Sequence, residues 1–119
     1  HEVARAINKP HIFVEKVNGK PTLKRGFTIE PETKFVVVED VATTGKSIME
    51  VVSLLRDLGG IPVAILTIID RSDNKELPFG DIPFISLLKL TIKTYEPNNC
   101  PLCKSGIPVT KPGSRIIKA

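Results

Sequence analysis

The chain has 119 residues, of which 41% are hydrophobic and 25% charged, with a formal net charge of +4. This length predicts one domain, and the composition is typical of a globular protein. No apolar stretch approaches the roughly 20 residues that a membrane span needs. The basic residues are scattered, and five Phe, one Tyr and no Trp do not resemble a nucleic-acid surface with aromatic stacking platforms. We therefore expect small anionic substrates as partners, and neither nucleic acid nor membrane.

The start of the chain is typical of the end of a helix. Residues 2–8 have helical character, and Pro10 would stop them. Because this pattern opens at His1 without a preceding turn, we expect an N-terminal part of the protein to be missing. Two cysteines and no signal-peptide pattern favour a reducing, cytoplasmic location.

A short hairpin is predicted next. Residues 11–15 are rich in β-forming side chains and predict a strand. Asn18-Gly19 is a turn signal, and residues 22–27 are expected to return as an irregular strand.

The middle of the chain predicts a strand, a helix and a second strand. Residues 35–39 form a nearly continuous apolar run, as in central parallel strands that are buried on both faces. Residues 61–69 form a second such run. Between them, residues 47–58 carry one helical apolar stripe and end at Gly59-Gly60. The stripe consists of Ile48, Val51, Val52, Leu55 and Leu58. This order predicts parallel strands joined by a crossover helix.

The remaining chain is predicted to contain one more strand and a tail. Residues 71–81 are polar and indicate a loop, whereas residues 83–90 are apolar and begin as a strand. We divide the chain into a core, 1–96, and a Cys/Pro-rich tail, 97–119, that packs on the core or trails it. Cys100-x-x-Cys103 is at most half of a zinc ribbon. Free structural thiols are the simplest interpretation, and a shared metal or a redox role are the alternatives.

The segment that says most about function is residues 35–47, Phe-Val-Val-Val-Glu-Asp-Val-Ala-Thr-Thr-Gly-Lys-Ser. Glu39 and Asp40 follow the apolar run, where ligands of open α/β sheets bind. Adjacent carboxylates can accept hydrogen bonds from vicinal hydroxyls or hold Mg²⁺ through water. Gly45 relieves the backbone, so that successive N–H groups can form an anion nest at the helix N-terminus. The segment therefore predicts a site for a ligand with both a ribose and a phosphate.

Two other interpretations of this segment are weaker. A buried strand, a solvated acidic pair and a helix cap are each common, but their occurrence together within nine residues favours a site. Gly45-Lys46-Ser47 also matches the end of the P-loop pattern G-x-x-x-x-G-K-[ST]. The first glycine of that pattern would fall on Asp40, whose carboxylate would repel a triphosphate.

Residues 36–47 resemble the phosphoribosyl pyrophosphate signature of type I phosphoribosyltransferases. Asp70-Arg71 after the next strand is similar to a pair in the orotate-using branch of that family. The stretches 100–104 and 111–115 are similar to the tail of a bacterial and archaeal subgroup. The resemblance implies an α/β fold with a Rossmann-like core and a mostly parallel sheet.

The resemblance also implies roles for individual residues. Glu39 and Asp40 would bind the ribose hydroxyls, and Asp40 is a catalytic candidate together with Lys20 of the mobile basic loop. Arg71 would face the carboxylate of orotate, and Thr43 would touch the pyrimidine. The full set expected to bind phosphoribosyl pyrophosphate is Lys16, Glu39, Asp40, Val41, Ala42, Thr43, Thr44, Gly45, Lys46 and Ser47.

The implied reaction joins orotate to phosphoribosyl pyrophosphate and yields orotidine 5′-monophosphate and pyrophosphate, a step of de novo pyrimidine (UMP) biosynthesis. Mg²⁺ is the implied cofactor, bound mainly through substrate and water without a direct protein ligand. A homodimer is implied, in which the loop completes the neighbouring subunit's site. A phosphoribosyl pyrophosphate-binding regulator and a purine-base phosphoribosyltransferase on the same fold are the alternatives. Because the family's N-terminal hood and pyrophosphate loop are not found, the isolated 119 residues are expected to be inactive.

Overall fold

The structure is a computed structural model that describes residues 1–107. Its elements, in chain order, are α1 (Glu2–Ala6), β1 (Val14–Val17), β2 (Lys20–Leu23), β3 (Lys34–Ala42), α2 (Lys46–Asp57), β4 (Ile61–Asp70), β5 (Phe84–Lys89), a 3₁₀ turn (Pro97–Asn99) and α3 (Pro101–Lys104). The part of the predicted tail from 108 to 119, including the stretch 111–115, lies outside the described residues.

The main sheet has three strands in the order β3-β4-β5, and both pairs are parallel. Val38 pairs with Leu66, and Leu66 pairs with Ile85, so the three strands share one register. The predicted strand–helix–strand unit with parallel strands is confirmed, as is the α/β fold class.

Helix α2 forms because its apolar positions recur at helical spacing and its end carries a glycine signal. Ile48, Val52 and Leu55 are buried against the sheet. The N–H of Gly60 donates to the carbonyl of Leu55, and the N–H of Gly59 donates to that of Arg56, each at 2.8 Å. This is the Schellman arrangement, and Gly59 takes the left-handed conformation that it requires, with φ of 86°.

Only one face of the main sheet is covered within residues 1–107, and here the prediction of strands buried on both faces is wrong. Val37 and Ile65 face α2 and are 8% and 0% exposed. Val36 and Val38 point to the other face and are 45% and 48% exposed. β3 is also an edge strand of this sheet, whereas β4 is central. The run of valines is apolar on both sides, but the described chain supplies a packing helix on one side only.

The loop between β4 and β5 contributes to the core, which its polar composition did not predict. Phe79 and Ile82 are buried in the cluster that also contains Val52. The ring of Phe79 lies 5.0 Å from that of Phe84, centroid to centroid. The loop therefore closes the end of the core next to the start of α2.

The hairpin is formed by β1 and β2, which pair antiparallel around Asn18-Gly19. Asn18 and Gly19 have φ of 51° and 79°, as the favoured two-residue hairpin turn requires. Both strands differ from their predicted bounds, since β1 begins at Val14 and β2 already begins at Lys20.

The described part of the tail folds locally. α3 packs against the 3₁₀ turn and not extensively against the other elements of residues 1–107. The division at residue 96 stays a prediction. Among the helices of the described chain, none is long and apolar enough to cross a membrane.

Candidate active site

The parallel strands bring the predicted site residues to one edge of the sheet. β3, β4 and β5 end in register at Ala42, Asp70 and Lys89. Beyond these ends the N–H of Arg71 donates to the carbonyl of Ala42, and the N–H of Leu90 donates to that of Asp70, each at 2.8 Å. Ligand sites of open α/β sheets lie at this carboxyl edge.

The two acidic residues lie inside β3, not after it, because the strand continues to Ala42. Glu39 is half-buried and Asp40 is exposed. Burial raises the pKa of Glu39, and the neighbouring Asp40 carboxylate raises it further. Asp40 Oδ1 accepts the N–H of Val41 at 2.7 Å. The pair thus has one carboxylate that is costly to ionise and one that is open to solvent.

The loop after β3 depends on a glycine. Gly45 has φ of 71° and occupies the N-cap position of α2. A Cβ at this position would lie 2.8 Å from the Phe79 ring and 2.9 Å from Pro78. Thr44 Oγ1 accepts the N–H of Lys46 at 3.4 Å, while Thr44 stays exposed. The first turn of a helix has N–H groups without intrahelical partners, so this exposed loop suits a phosphate group.

Other members of the predicted set are distributed around this loop. Val41 is half-buried and Ala42 is 1% exposed, so Ala42 can contribute only its backbone to a ligand. Of the remaining members, Thr43, Lys46 and Ser47 are exposed at the mouth of the candidate site. Residues 39–47 therefore run from the last part of β3, through the loop, into the first turn of α2.

Asp70 and Arg71, which the sequence singled out as a pair, differ in their surroundings. Asp70 is 5% exposed, and its Oδ1 accepts the N–H of Ser72 at 2.8 Å. Its Oδ2 lies 3.7 Å from Lys89 Nζ. Burial alone would raise the pKa of Asp70, but the hydrogen bonds from Ser72 and the charge of Lys89 outweigh it and lower the pKa. Asp70 is therefore held within the protein as a structural carboxylate.

Arg71 is half-buried, and its Nε is buried without a hydrogen-bond partner among the described residues. A buried donor without a partner costs about 1–3 kcal/mol. A ligand that accepts this hydrogen bond would recover that energy, which makes Arg71 the stronger binding candidate of the two.

The basic hairpin lies against α2. Lys16 Nζ is 2.5 Å from Glu50 Oε2, and this hydrogen bond is the main reason that the pKa of Glu50 is lowered. Lys20 and Lys46 line an open groove of about 580 Å³ between β2 and α2. Lys46 is the one member of the predicted segment 39–47 that lines this groove. The structure therefore brings Lys20 to the start of α2 and pairs Lys16 with Glu50.

Sequence reasoning missed two neighbours of the site, Thr67 and Lys89. Thr67 is the register partner of Glu39, is 4% exposed, and has an Oγ1 that is buried without a partner among residues 1–107. Thr67 is the one hydroxyl residue in the apolar run 61–69. This polar residue among apolar neighbours could have identified it from the sequence. Lys89 could have been found only from the pairing of β4 with β5.

The chain is similar to known proteins both in sequence and in fold. No protein-family model matches the chain. A protein of Carboxydothermus hydrogenoformans is 50% identical over 115 residues, which are 97% of this chain and 59% of the relative. Relatives from Caldanaerobacter subterraneus subsp. tengcongensis and Thermotoga maritima are 52% and 51% identical. The match to the first of these two spans 97% of this chain and 60% of the relative. The match to the second spans 98% of this chain and 61% of the relative. All three are named orotate phosphoribosyltransferase, and the chain spans about three fifths of their length.

Two solved structures are similar in fold. Adenine phosphoribosyltransferase from Leishmania donovani matches with a TM-score of 0.59 and 18% identity, over 73% of this chain and 49% of that one. Orotate phosphoribosyltransferase from Aeropyrum pernix matches with a TM-score of 0.57 and 28% identity, over 75% of this chain and 52% of that one. At 18% identity, the first of these supports the fold alone.

The parallel sheet, with the Gly45 loop at its carboxyl edge, has an α/β fold that it shares with these two solved phosphoribosyltransferases. Over nearly its whole length, the chain is about 50% identical to proteins named orotate phosphoribosyltransferase. The resemblance to phosphoribosyltransferases, and among them to orotate phosphoribosyltransferases, is therefore confirmed.

Proposed function

We propose that the complete gene product containing this chain is an orotate phosphoribosyltransferase. It would transfer ribose 5-phosphate from phosphoribosyl pyrophosphate to orotate, forming orotidine 5′-monophosphate and pyrophosphate in pyrimidine biosynthesis. The observation that carries the proposal is the similarity of nearly the whole chain, at about 50% identity, to relatives named for this activity. Because the chain spans about three fifths of those relatives, the activity is proposed for the complete product and not for the 119 residues alone.

The donor would bind along residues 39–47. Glu39 and Asp40 offer carboxylate oxygens to the two ribose hydroxyls, and the exposed loop around Gly45 offers backbone N–H groups and hydroxyls to the 5-phosphate. The N-terminus of α2 adds a favourable dipole at the same point. A ligand with vicinal hydroxyls next to a phosphate complements this order of groups.

Orotate would bind near Arg71. A guanidinium can hold a planar carboxylate through two parallel hydrogen bonds, and Arg71 has a buried Nε that lacks a partner in the described chain. Thr43 is exposed on the neighbouring loop and is proposed to contact the pyrimidine. Asp70 would act indirectly, by holding the start of this loop through Ser72.

The residues present fit a magnesium ion that is carried mainly by substrate and water. No group of three or more His, Cys, Asp and Glu side chains in the described part of the chain is arranged to hold a metal. Mg²⁺ commonly binds through one or two carboxylates together with substrate phosphates and water. Glu39 and Asp40 match that requirement, and a bound Mg²⁺ would supply charge to neutralise the pyrophosphate.

Catalysis would rest on binding, orientation and electrostatics. The transition state is expected to resemble an oxocarbenium ion with a departing anion, which Lys20 would stabilise by its charge. Asp40 is proposed to act next to the developing cation, and Lys16 to contact the pyrophosphate. Lys16 is paired with Glu50 on α2 of its own chain, and we propose that the hairpin lysines complete the site of a second subunit in a homodimer. A cytoplasmic location is part of the same proposal.

A panel of bases tests the proposal with the complete gene product, by following pyrophosphate release from phosphoribosyl pyrophosphate. Orotate is expected to be used, whereas adenine, hypoxanthine and uracil are not. Use of a purine base in place of orotate would identify a purine-base enzyme. Tight binding of phosphoribosyl pyrophosphate without turnover of any base would identify a regulator.

Arg71→Ala tests the acceptor site directly. Losing a charged, two-point contact with the carboxylate is expected to raise the KM for orotate by about 10–100-fold. Arg56→Ala is the matched control, because Arg56 is exposed on the last turn of α2. An unchanged KM for orotate in the Arg71 variant would remove Arg71 from the site.

A further inference from the structure

A row of polar side chains crosses the main sheet next to its buried core. Val37 and Ile65 are register partners that face α2. Two positions further toward the carboxyl edge, Thr67 pairs with Glu39 on β3 and with Ser86 on β5. Because side chains two positions apart on a strand share a face, this polar row lies on the α2 side of the sheet, between the core and the candidate site.

Thr67 is the buried member of the row. It is 4% exposed, and its Oγ1 has no hydrogen-bond partner within residues 1–107. A buried hydroxyl without a partner costs folding free energy, and such groups are rare in folded proteins. In the described chain, the other buried side-chain atom of this kind is Arg71 Nε. Both atoms belong to the end of β4 or to the residue after it, next to the candidate site, which favours a role in that site.

Glu39 is the acidic residue that the Thr67 hydroxyl can reach. Neighbouring strands lie about 4.8 Å apart, and rotation about the Cα–Cβ bond of Thr67 turns its hydroxyl toward β3. Asp40 is on the opposite face of β3, since successive side chains of a strand alternate, and its Oδ1 accepts the N–H of Val41 at 2.7 Å. The register therefore places Thr67 beside one carboxylate of the pair and not beside the other.

We propose that Thr67 is a positioning residue of the donor site, whose hydroxyl donates to the carboxylate of Glu39 when phosphoribosyl pyrophosphate binds. This inference rests on the proposed function and adds to it a residue that acts through Glu39 without touching the substrate. A carboxylate has about four acceptor positions. The ribose takes positions on the solvent side of Glu39, and Thr67 takes one on the sheet side. The bond holds the carboxylate in the orientation that the ribose requires, and it gives the buried hydroxyl a partner.

Ser86 supports the same arrangement from β5. It is half-buried, and a hydroxyl can donate one hydrogen bond while it accepts others. Ser86 can therefore donate to Thr67 while Thr67 donates to Glu39, so that the row is polarised toward the carboxylate. The competing interpretation is that Thr67 only fills space beside the core. In that case valine, which has nearly the same shape, would serve equally well.

Calorimetric titration of the complete gene product with phosphoribosyl pyrophosphate tests the proposal. Thr67→Val removes the hydroxyl and is expected to weaken donor binding about 10-fold, because a hydrogen bond to a charged group is lost. Thr67→Ser keeps the hydroxyl and should bind within about 2-fold of the wild type. Thr33→Val is the matched control, because Thr33 is exposed just before β3, at the opposite end of the sheet. Its donor binding should be unchanged.

Three further measurements separate positioning from a structural role. Without ligand, Thr67→Val should unfold at the same temperature as the wild type or at a higher one, because it loses a buried hydroxyl without a partner. At saturating donor, its KM for orotate should stay within about 2-fold of the wild-type value. In a Glu39→Ala background, adding Thr67→Val should change donor binding by less than about 2-fold, because the acceptor of the hydrogen bond is gone.

Three results would overturn the inference while the proposed function stands. Thr67→Val could bind the donor as the wild type does, which would show that the hydroxyl has no part in binding. It could unfold at a lower temperature and weaken both substrates, which would show a structural role. Its effect could add in full to that of Glu39→Ala, which would show that Thr67 does not act through Glu39. A wild type that binds no phosphoribosyl pyrophosphate would overturn the proposed function itself, and this inference with it.

Discussion

At the level of single residues, the carboxylates of Glu39 and Asp70 have opposite roles because their surroundings differ. Glu39 has a raised pKa, since it is half-buried and lies next to the Asp40 carboxylate. Asp70 has a lowered pKa, since Ser72 and Lys89 more than compensate its burial. A carboxylate with uncompensated charge is available to a cation or a ligand, whereas a satisfied one stabilises the fold.

Glu39→Gln is expected to stabilise the protein near neutral pH and to weaken its binding of phosphoribosyl pyrophosphate. The folded state raises the pKa of Glu39 above 4.5, so stability falls as pH rises from 4.5 through the folded value. The variant should therefore unfold at a higher temperature than the wild type at pH 7, and the difference should shrink toward pH 4. Thermal unfolding at both pH values measures this effect, and titration with the ligand should show about 10-fold weaker binding.

Glu50→Gln is the control for that prediction, because Lys16 lowers the pKa of Glu50. Glu50→Gln should therefore unfold at a lower temperature than the wild type at pH 7, whereas Glu39→Gln should unfold at a higher one. If Glu39→Gln also lowers the unfolding temperature at pH 7, Glu39 does not carry uncompensated charge.

Asp70→Asn is expected to destabilise the protein by about 1–2 kcal/mol near neutral pH, because it removes a charge that accepts hydrogen bonds. The pKa of Asp70 is lowered below 3.8 in the folded state, so its contribution is present above pH 3.8 and is lost as pH falls through the folded value. Urea unfolding at neutral and at acidic pH measures the difference in the free energy of unfolding between wild type and Asp70→Asn. This difference should disappear in acid. Asp73→Asn, in the exposed part of the same loop, should have no effect at either pH.

At the level of elements, the short connection from β3 to α2 determines the shape of the loop that is proposed to bind the 5-phosphate. β3 ends at Ala42 and α2 begins at Lys46, so only three residues separate them. Gly45 makes the reversal possible by its left-handed backbone, and it lies against Phe79 and Pro78 of the β4–β5 loop. The loop is therefore shaped by its own glycine and by residues more than 30 positions away.

Gly45→Ala is expected to destabilise the protein by about 2–4 kcal/mol, through the left-handed strain and the overpacking against Phe79. It should also impair binding of the 5-phosphate. Gly80→Ala is the matched control, because Gly80 has φ of 57° but a Cβ added there would meet nothing within 4 Å. Gly80→Ala should lower the free energy of unfolding by about 1 kcal/mol, from the backbone strain alone. Urea unfolding of both variants measures the two losses. Equal losses would show that the contact with Phe79 is unimportant.

Strand and helix positions were largely predictable, because they depend on local periodicity. The stripe in α2 and the signal at Gly59 predicted the helix to within one residue at each end. β3 was predicted to end at Glu39 but continues to Ala42. The extension results from pairing with β4, in which Val41 and Ala42 meet Ile69 and Asp70, and no local pattern reports that pairing.

At the level of the whole molecule, the main sheet presents one apolar face that is open within the described residues. The exposed side chains there are Val36, Val38, Ile68, Ile85 and Leu87, and Leu87 reaches 82% exposure. A contiguous apolar patch of this kind favours contact with further polypeptide. When this chain is alone in solution, the polypeptide that can cover this face is a second copy of the chain.

The 119-residue chain is expected to self-associate through this face. Sedimentation velocity at rising concentration should show oligomers in the wild type at about 100 μM, and fewer oligomers in a variant with Val38→Lys and Leu87→Lys. Leu58→Lys is the control, because Leu58 is similarly exposed, at 44%, but lies at the end of α2. A wild type that stays monomeric at that concentration would contradict the prediction.

The sequence by itself determined the order of the elements, the turn residues and the segment 35–47 that carries the candidate site. These features follow from side-chain periodicity, backbone preference and chemistry within short stretches. Only the tertiary structure decided that one sheet face is covered, that Thr67 lies beside Glu39, that Asp70 is held by Lys89, and that Lys16 binds Glu50 on α2. Each of these facts joins residues far apart in the chain, whose proximity depends on strand pairing and helix packing and not on any local pattern.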